Sequence, residues 1–321
     1  MGGARPPAAE SRAGTPSGEI LERAVCRLLR MREDRAHARS LDVAIVGATG
    51  LVGGVLLEVL GDSSFPIGRL RPLARDAGNG RRVTFRGEEL SVEAAGREAL
   101  RGADLVFFAA TGELSRELVP VALEEGARVV DKSSVFRGDP DVPLVVPEVN
   151  GDAIAGDTRL VASPNCTTIG LVLALEPLRR AAGLKRVVVT TLQAASGAGR
   201  AGLDALERGT AFPSGDGSAA PLERNVLPVC DSLGPDGSTA EEHKLLAETR
   251  RILDDPGLEL TVTCTRVPVA VGHGAAVSLW TEAPLSVEEA RAALEATPWI
   301  RLVDQPTPRQ VAGRDEVLVG R

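Results

Sequence analysis

A chain of 321 residues, 43% of them hydrophobic, is long enough for two domains and apolar enough to bury a core in each. Aromatic residues make up only 2%, Tyr is absent and the net charge is −7, which argues against base-stacking platforms and against a nucleic-acid partner. The four cysteines, Cys26, Cys166, Cys230 and Cys264, show no CxxC spacing, so neither a zinc site nor a dense disulfide framework is expected, and a reducing, cytoplasmic setting fits best. No apolar run is long enough to cross a bilayer, and no secretory signal opens the chain, so no membrane partner is expected.

Residues 1–18, rich in Ala, Pro, Gly and Ser, are expected to be disordered. From Glu19 to about Asp34 the apolar residues recur at helical spacing, and residues 1–40 are read as an N-terminal extension without chemistry of its own. Met31 offers an alternative start. Next, Leu41 to Val46 has the pattern of a buried strand and runs into Gly47-Ala48-Thr49-Gly50-Leu51-Val52-Gly53 and an apolar helix to Leu60. Three glycines between a strand and a helix suit a sharp turn, close backbone approach to a diphosphate and tight helix packing; the same pattern also fits a turn built for packing alone.

A second strand, Arg69 to Ala74, ends at Arg75, which suits the 2′-phosphate of NADP or is an ordinary surface arginine. Asp104 to Ala110 reads as a central strand, followed by a helix through Glu125 and a strand from Ala127 to Asp131. Strands alternating with helices predict an α/β fold with a Rossmann-like, doubly wound parallel sheet. The Pro/Asp-rich passage Arg137 to Pro147 is expected to mark a domain edge.

Beyond it, a short apolar run from Arg159 to Ala162 meets Ser163-Pro164-Asn165-Cys166, and residues 167–182 are apolar at helical spacing. That places Cys166 at or near a helix start, where unpaired amides and the macrodipole favour a thiolate over a thiol; a small buried hydrophobe is the plainer alternative. Lys185 to Gln193 is a β-branched strand leading to a flexible turn, Ala194 to Gly199, and residues 209–238 read as surface loop. A helix from about Thr239 to Leu253 and two strands, Leu258 to Val269 and Ala275 to Thr281, complete an α+β half. His273, in the turn between those strands, is the best-placed base for a cysteine nucleophile; a structural or exposed histidine is the plainer alternative.

Six motifs occur together and in order: Gly47–Gly53; Ser134-Val-Phe-Arg137 with Asp141–Asn150; Ser163–Thr168; Gln193–Gly199; Glu241-Glu-His-Lys244; and Arg266-Val-Pro through Gly272-His273. Over roughly residues 41–321 the chain resembles the aspartate-β-semialdehyde dehydrogenases. The related N-acetyl-γ-glutamyl-phosphate reductases carry Gly before their cysteine, and Asn165 separates this chain from them.

The resemblance implies an NADP-binding domain over 41–164 and, over 165–321, a catalytic and dimerisation domain of the glyceraldehyde-3-phosphate dehydrogenase-like type. It implies an NADP- and phosphate-dependent oxidoreductase that interconverts β-aspartyl phosphate and aspartate-β-semialdehyde through a thioester on Cys166, with His273 as acid/base and Gln193 positioning the substrate. Arg266 is then the carboxylate ligand, Glu241 the ammonium ligand, Lys244 and Arg137 the phosphate ligands, and Asn165 a further substrate contact. Gly47, Thr49, Gly50, Leu51, Val52, Gly53, Arg75, Ser196 and Gly197 form the cofactor set. A cytoplasmic homodimer without metal, nucleic acid or membrane partner is implied. Family members continue past Gly313–Arg321 and have a longer 209–238 region, so a closing strand, cofactor loop and helix are expected to be missing here; the alternative function is a catalytically impaired paralogue that binds nucleotide or a partner subunit.

Overall fold

The computed structural model describes residues 40–76, 80–213 and 220–321; the helix expected over 19–34 lies outside the described residues. The described chain divides into two compact units, one ending at Pro164 and the other running from Asn165 to Arg321. The Arg137 to Pro147 passage therefore lies inside the first unit and is not its edge, and Leu144 forms a bridge with Ala162 there.

The first unit begins with β1 (Leu41–Val46), α1 (Leu51–Asp62) and β2 (Ile67–Ala74). A hairpin, β3 (Arg82–Phe85) and β4 (Glu88–Ser91), precedes β5 (Glu93–Ala94) and the short α2 (Arg97–Leu100). Then come β6 (Leu105–Phe108), α3 (Gly112–Glu124), β7 (Arg128–Asp131), the short α4 (Pro147–Asn150) and β8 (Leu160–Ala162). The main sheet has the order β5-β2-β1-β6-β7-β8, and every pairing in it is parallel. This is the doubly wound arrangement expected from the alternation of strands and helices, and its winding reverses between β1 and β6.

From Val43 to Val46, β1 is apolar because both of its faces are covered. Val43 and Ile45 pack with Leu57, Leu60 and Phe107 on one side, while Ala44 and Val46 pack with Leu118, Val119 and Phe108 on the other. Each fully buried Leu or Phe side chain contributes about 1.5–3 kcal/mol relative to leaving it in water.

The second unit contains α5 (Cys166–Ala182), β9 (Arg186–Gln193), α6 (Gly199–Arg208), α7 (Ala240–Ile252), β10 (Glu259–Arg266), β11 (Gly274–Trp280) and α8 (Val287–Glu295). β12 (Ile300–Leu302), the short α9 (Pro308–Val311) and β13 (Val317–Val319) end it. Its sheet has the order β10-β9-β11, with β10 parallel and β11 antiparallel to β9. α7 packs on β10, and α5 packs on both α7 and α8. The passage Ala194 to Gly199 is not a flexible turn: Ala195–Ala198 form a 3-10 helix tied down by Ala195 N–H to Val269 O at 2.8 Å and Ser196 N–H to Ala270 O at 3.0 Å.

Candidate active site

The sequence break before α5 works as a helix cap. Pro164 ends the extended run, and Asn165 Oδ1 accepts from the amides of Thr167 (2.8 Å) and Thr168 (3.4 Å), which satisfies two of the orphan donors of the first turn. Cys166 is the first helical residue and is exposed, whereas Cys230 and Cys264 are buried. Burial pushes the Cys230 thiol up to about 11 and the Cys264 thiol up to about 12.

His273 reaches the thiol from the turn between β10 and β11, with Nε2 at 3.2 Å from Cys166 Sγ. Gly272 before it has φ +91, and a Cβ there would lie 2.6 Å from Pro308 O, so the turn that aims the imidazole requires glycine. On the far side of the ring, Ala194 N–H donates to Nδ1 at 3.0 Å. A backbone amide only donates, so Nδ1 carries the lone pair and the neutral ring presents Nε2–H to the sulfur. Burial, and then the charge of Arg266, push His273 down to about 4, with Glu241 acting in the opposite sense.

Beside this pair, Gln193 and Arg266 are register partners at the ends of β9 and β10, which puts both side chains on the covered face of the sheet. Arg266 Nη1 donates to Ala194 O at 2.9 Å and to Gln193 Oε1 at 3.4 Å, and its guanidinium lies 5.6 Å from the Phe212 ring centroid. Nε of Arg266 is buried with no acceptor among the described residues. A guanidinium with an unused donor is chemically able to take an anionic ligand.

Glu241, on α7, ties these groups together. Its Oε1 accepts from Asn165 Nδ2 (2.9 Å) and Gln193 Nε2 (3.3 Å), and its Oε2 faces Lys244 Nζ at 3.3 Å. The structure thus brings Cys166, His273, Gln193, Arg266, Glu241, Lys244 and Asn165 into one cluster inside the second unit. Arg137 belongs to the first unit, where its Nη2 donates to Lys132 O at 2.9 Å.

Three further residues take part in the cluster. Ala194 acts through its backbone amide. Glu248, buried two turns beyond Glu241 on α7, accepts from Asn165 N–H at 2.6 Å, and its spacing from Glu241 was the available clue. Asp231 lies 2.5 Å from Lys244 Nζ, so Lys244 is already in an ion pair.

In the first unit, the Gly47–Gly53 turn lies at the end of β1, where the winding of the sheet reverses. Gly47 has φ +92, and a Cβ on it would come within 2.4 Å of Ala109 O; a Cβ on Gly53 would come within 2.1 Å of Gly47 O. Both glycines are therefore demanded by packing. Gly50, the N-cap of α1, supplies no side-chain acceptor to the first turn, and Thr49 and Gly50 are exposed. Open first-turn amides at such a point fit the phosphates of a dinucleotide. Arg75 is exposed and bonds Glu113 Oε2 at 2.8 Å and Thr111 Oγ1 at 3.3 Å. Ser196 and Gly197 lie in the second unit, where a Cβ on Gly197 would stand 2.6 Å from Arg266 Nη1 and 3.3 Å from His273 Cε1. Among the described residues no cluster of three or more His, Cys, Asp or Glu could hold a metal ion.

A doubly wound parallel sheet with a phosphate-type turn, followed by a unit that holds a thiol–imidazole pair, is the architecture of a nucleotide-linked dehydrogenase. Comparisons with known proteins narrow the class. Residues 42–157 match the family model of the semialdehyde dehydrogenase NAD binding domain, and residues 175–321 match that of the semialdehyde dehydrogenase dimerisation domain. The aspartate-semialdehyde dehydrogenase of Aquifex aeolicus is 41% identical over 295 residues, covering 87% of each chain. The crystal structure of aspartate semialdehyde dehydrogenase II from Vibrio cholerae superimposes with a TM-score of 0.82 at 40% identity, covering 88% of each chain. A second crystal structure of that enzyme, complexed with ASA, gives the same TM-score at 39% identity and the same coverage. The chain belongs to the aspartate-semialdehyde dehydrogenase family.

Proposed function

We propose that this chain interconverts β-aspartyl phosphate and aspartate-β-semialdehyde, reversibly and with NADP and phosphate as co-substrates, through a thioester on Cys166. The observation that carries this reading is the 3.2 Å approach of Cys166 Sγ to His273 Nε2 at the start of α5. The helix N-terminus and the Nε2–H donor both favour the thiolate over the thiol.

In the biosynthetic direction the thiolate attacks the acyl carbon, the bond from that carbon to the phosphate oxygen breaks, and inorganic phosphate leaves with the electron pair. NADPH held by the glycine turn would supply the hydride for the thioester carbon, and NADP would accept it in the reverse direction. His273 donates from Nε2 to the oxygen that becomes negative on the reacting carbon and exchanges a proton with it. Breaking of the C–S bond then releases the semialdehyde and restores the thiolate. Before any of this, Arg266 binds the substrate carboxylate through its planar fork, Glu241 pairs with the ammonium group, and Lys244 and Arg137 bind the phosphate. Gln193 and Asn165 orient the acyl group beside the sulfur.

The cofactor set is Gly47, Thr49, Gly50, Leu51, Val52 and Gly53, with Arg75 for the 2′-phosphate; the resemblance also assigns Ser196 and Gly197 to the cofactor. Arg75 exchanges Glu113 for that phosphate. One face of the β10-β9-β11 sheet carries the exposed residues Thr190, Leu192, Thr263, Ser278 and Trp280, and it is the surface we assign to a homodimer in the cytoplasm. The semialdehyde would serve lysine (through diaminopimelate), threonine and methionine biosynthesis.

The test is NADP reduction by aspartate semialdehyde with and without inorganic phosphate, for the wild type and Cys166→Ala. Phosphate-dependent turnover in the wild type alone supports the reading. Equal silence of both proteins overturns it in favour of a non-catalytic, nucleotide- or subunit-binding relative.

A further inference from the structure

The Lys244 ammonium group is not waiting free for an anion. Its Nζ lies 2.5 Å from Asp231 Oδ2 and 3.3 Å from Glu241 Oε2, so two carboxylates share one cation. Glu241 is also bonded to Asn165 and Gln193 and belongs to the site already described. Asp231 does not: among the described residues its carboxylate is bonded, apart from Lys244, only to its neighbour's amide, Ser232 N–H to Oδ1 at 2.8 Å. That bond aims the other oxygen at the lysine.

The backbone holds the pair in place. Asp231 has φ +70, the left-handed region that few residues other than Gly enter, although Asp is among the more tolerant. The segment after it folds back onto the start of α7, with Leu233 bridged to Thr239 and Ala240 N–H donating to Ser232 O at 2.8 Å. The helix that carries Lys244 therefore also anchors the loop that carries Asp231. Burial alone would lower the Lys244 pKa, but Asp231 and Glu241 hold it above the ordinary lysine value; in the same way Lys244 and the Ser232 amide outweigh burial and keep Asp231 below the usual carboxylate range. Both side chains are partly open to solvent, at 29% for Lys244 and 41% for Asp231. An arriving anion can thus reach the pair and replace one partner.

We propose that Asp231 is the resident counter-anion of Lys244, displaced by the phosphate group of the substrate or by inorganic phosphate, and that this exchange sets the affinity of the site for phosphate. The inference rests on the reading of Lys244 as a phosphate ligand. Its physical content is a competition: a carboxylate neutralises the ammonium group until a more highly charged oxyanion arrives. A residue that merely orients Lys244 has the opposite signature, because its removal weakens phosphate binding.

Asp231→Asn keeps the size of the side chain and removes the charge. The apparent KM for inorganic phosphate in semialdehyde oxidation is expected to fall about 2- to 5-fold relative to the KM for the semialdehyde, the range of a partly exposed ion pair. A second measurement needs no turnover: thermal unfolding of wild type, Asp231→Asn and Asp231→Ser, titrated with inorganic phosphate at constant ionic strength. Both variants are expected to reach half-saturation at lower phosphate than the wild type, and Lys244→Met in either background is expected to erase the difference. Half-saturation at equal or higher phosphate in the variants overturns the proposal. A wild type that binds phosphate but does not turn over defeats the catalytic reading alone, since the titration still decides the role of Asp231.

Discussion

The backbone amide of Ala194 donates to Nδ1 of His273 at 3.0 Å and thereby decides which imidazole nitrogen carries the proton opposite Cys166. A second proton on the ring would have to sit on Nδ1, facing another donor, so this contact adds to burial and Arg266 in keeping the ring neutral. Folding lowers the histidine from 6.5 to about 4, and the sign of the linkage follows. Above 6.5 folded and unfolded chains both hold the neutral ring; as the pH falls toward 4, only the unfolded chain gains the proton, and the fold loses about 3 kcal/mol. His273→Asn retains an acceptor for Ala194 without the titration. The difference in urea midpoint between wild type and His273→Asn should therefore shift against the wild type across that pH window, and a constant difference would exclude the depressed histidine.

Gly197 is one of the glycines the resemblance places at the cofactor, yet in the structure the space its missing side chain leaves is taken by Arg266 and His273. Arg266 Nη1 is already fixed by Ala194 O and Gln193 Oε1, so a methyl group 2.6 Å away forces the guanidinium to shift. For Gly197→Ala we expect kcat/KM for the semialdehyde to drop about tenfold, the consequence of roughly 1.4 kcal/mol of lost transition-state binding. Steady-state kinetics with an unchanged semialdehyde KM and kcat would show that Arg266 tolerates the displacement.

Arg266→Lys keeps the charge and loses the fork. A lysine cannot reproduce the bond to Ala194 O, the packing near Phe212 and a two-point grip on a carboxylate together. The expected result is a semialdehyde KM raised about 10- to 100-fold, in line with the loss of a charge-assisted hydrogen bond of about 1.5–3 kcal/mol. An unchanged KM would place the substrate carboxylate elsewhere.

What the sequence made legible was local. The strand, Pro-Asn break and helical spacing around Cys166 located the helix start and the thiol on it, and the apolar run of β1 followed by three glycines located the strand-to-helix turn. What it hid was pairing at a distance. Gln193 and Arg266 become neighbours only through the parallel register of β9 and β10, 73 residues apart. Ala194 contributes a main-chain group that no side-chain pattern can announce, and Asp231 sits in a loop whose return onto α7 depends on bonds at Ser232 and Thr239. α6 lacks a plain helical signal because it contains Gly202, a poor helix residue kept because a Cβ there would lie 2.4 Å from Ala195 O. The hairpin of β3 and β4 escaped because its strands are short and polar, although Gly87 with φ +83, following Arg86 with φ +49, is the turn signal that was available.

The central claim is that the helix start and His273 together make Cys166 the reactive sulfur, and alkylation with limiting iodoacetamide at pH 7, read by peptide mass spectrometry, tests it most directly. Cys166 should be modified well ahead of Cys230 and Cys264, whose thiols are buried and pushed up to about 11 and about 12. Replacing His273 with Ala should slow that reaction about tenfold by removing the Nε2–H donor. Labelling of Cys166 no faster than of the two buried cysteines, or a rate indifferent to His273, would contradict the account.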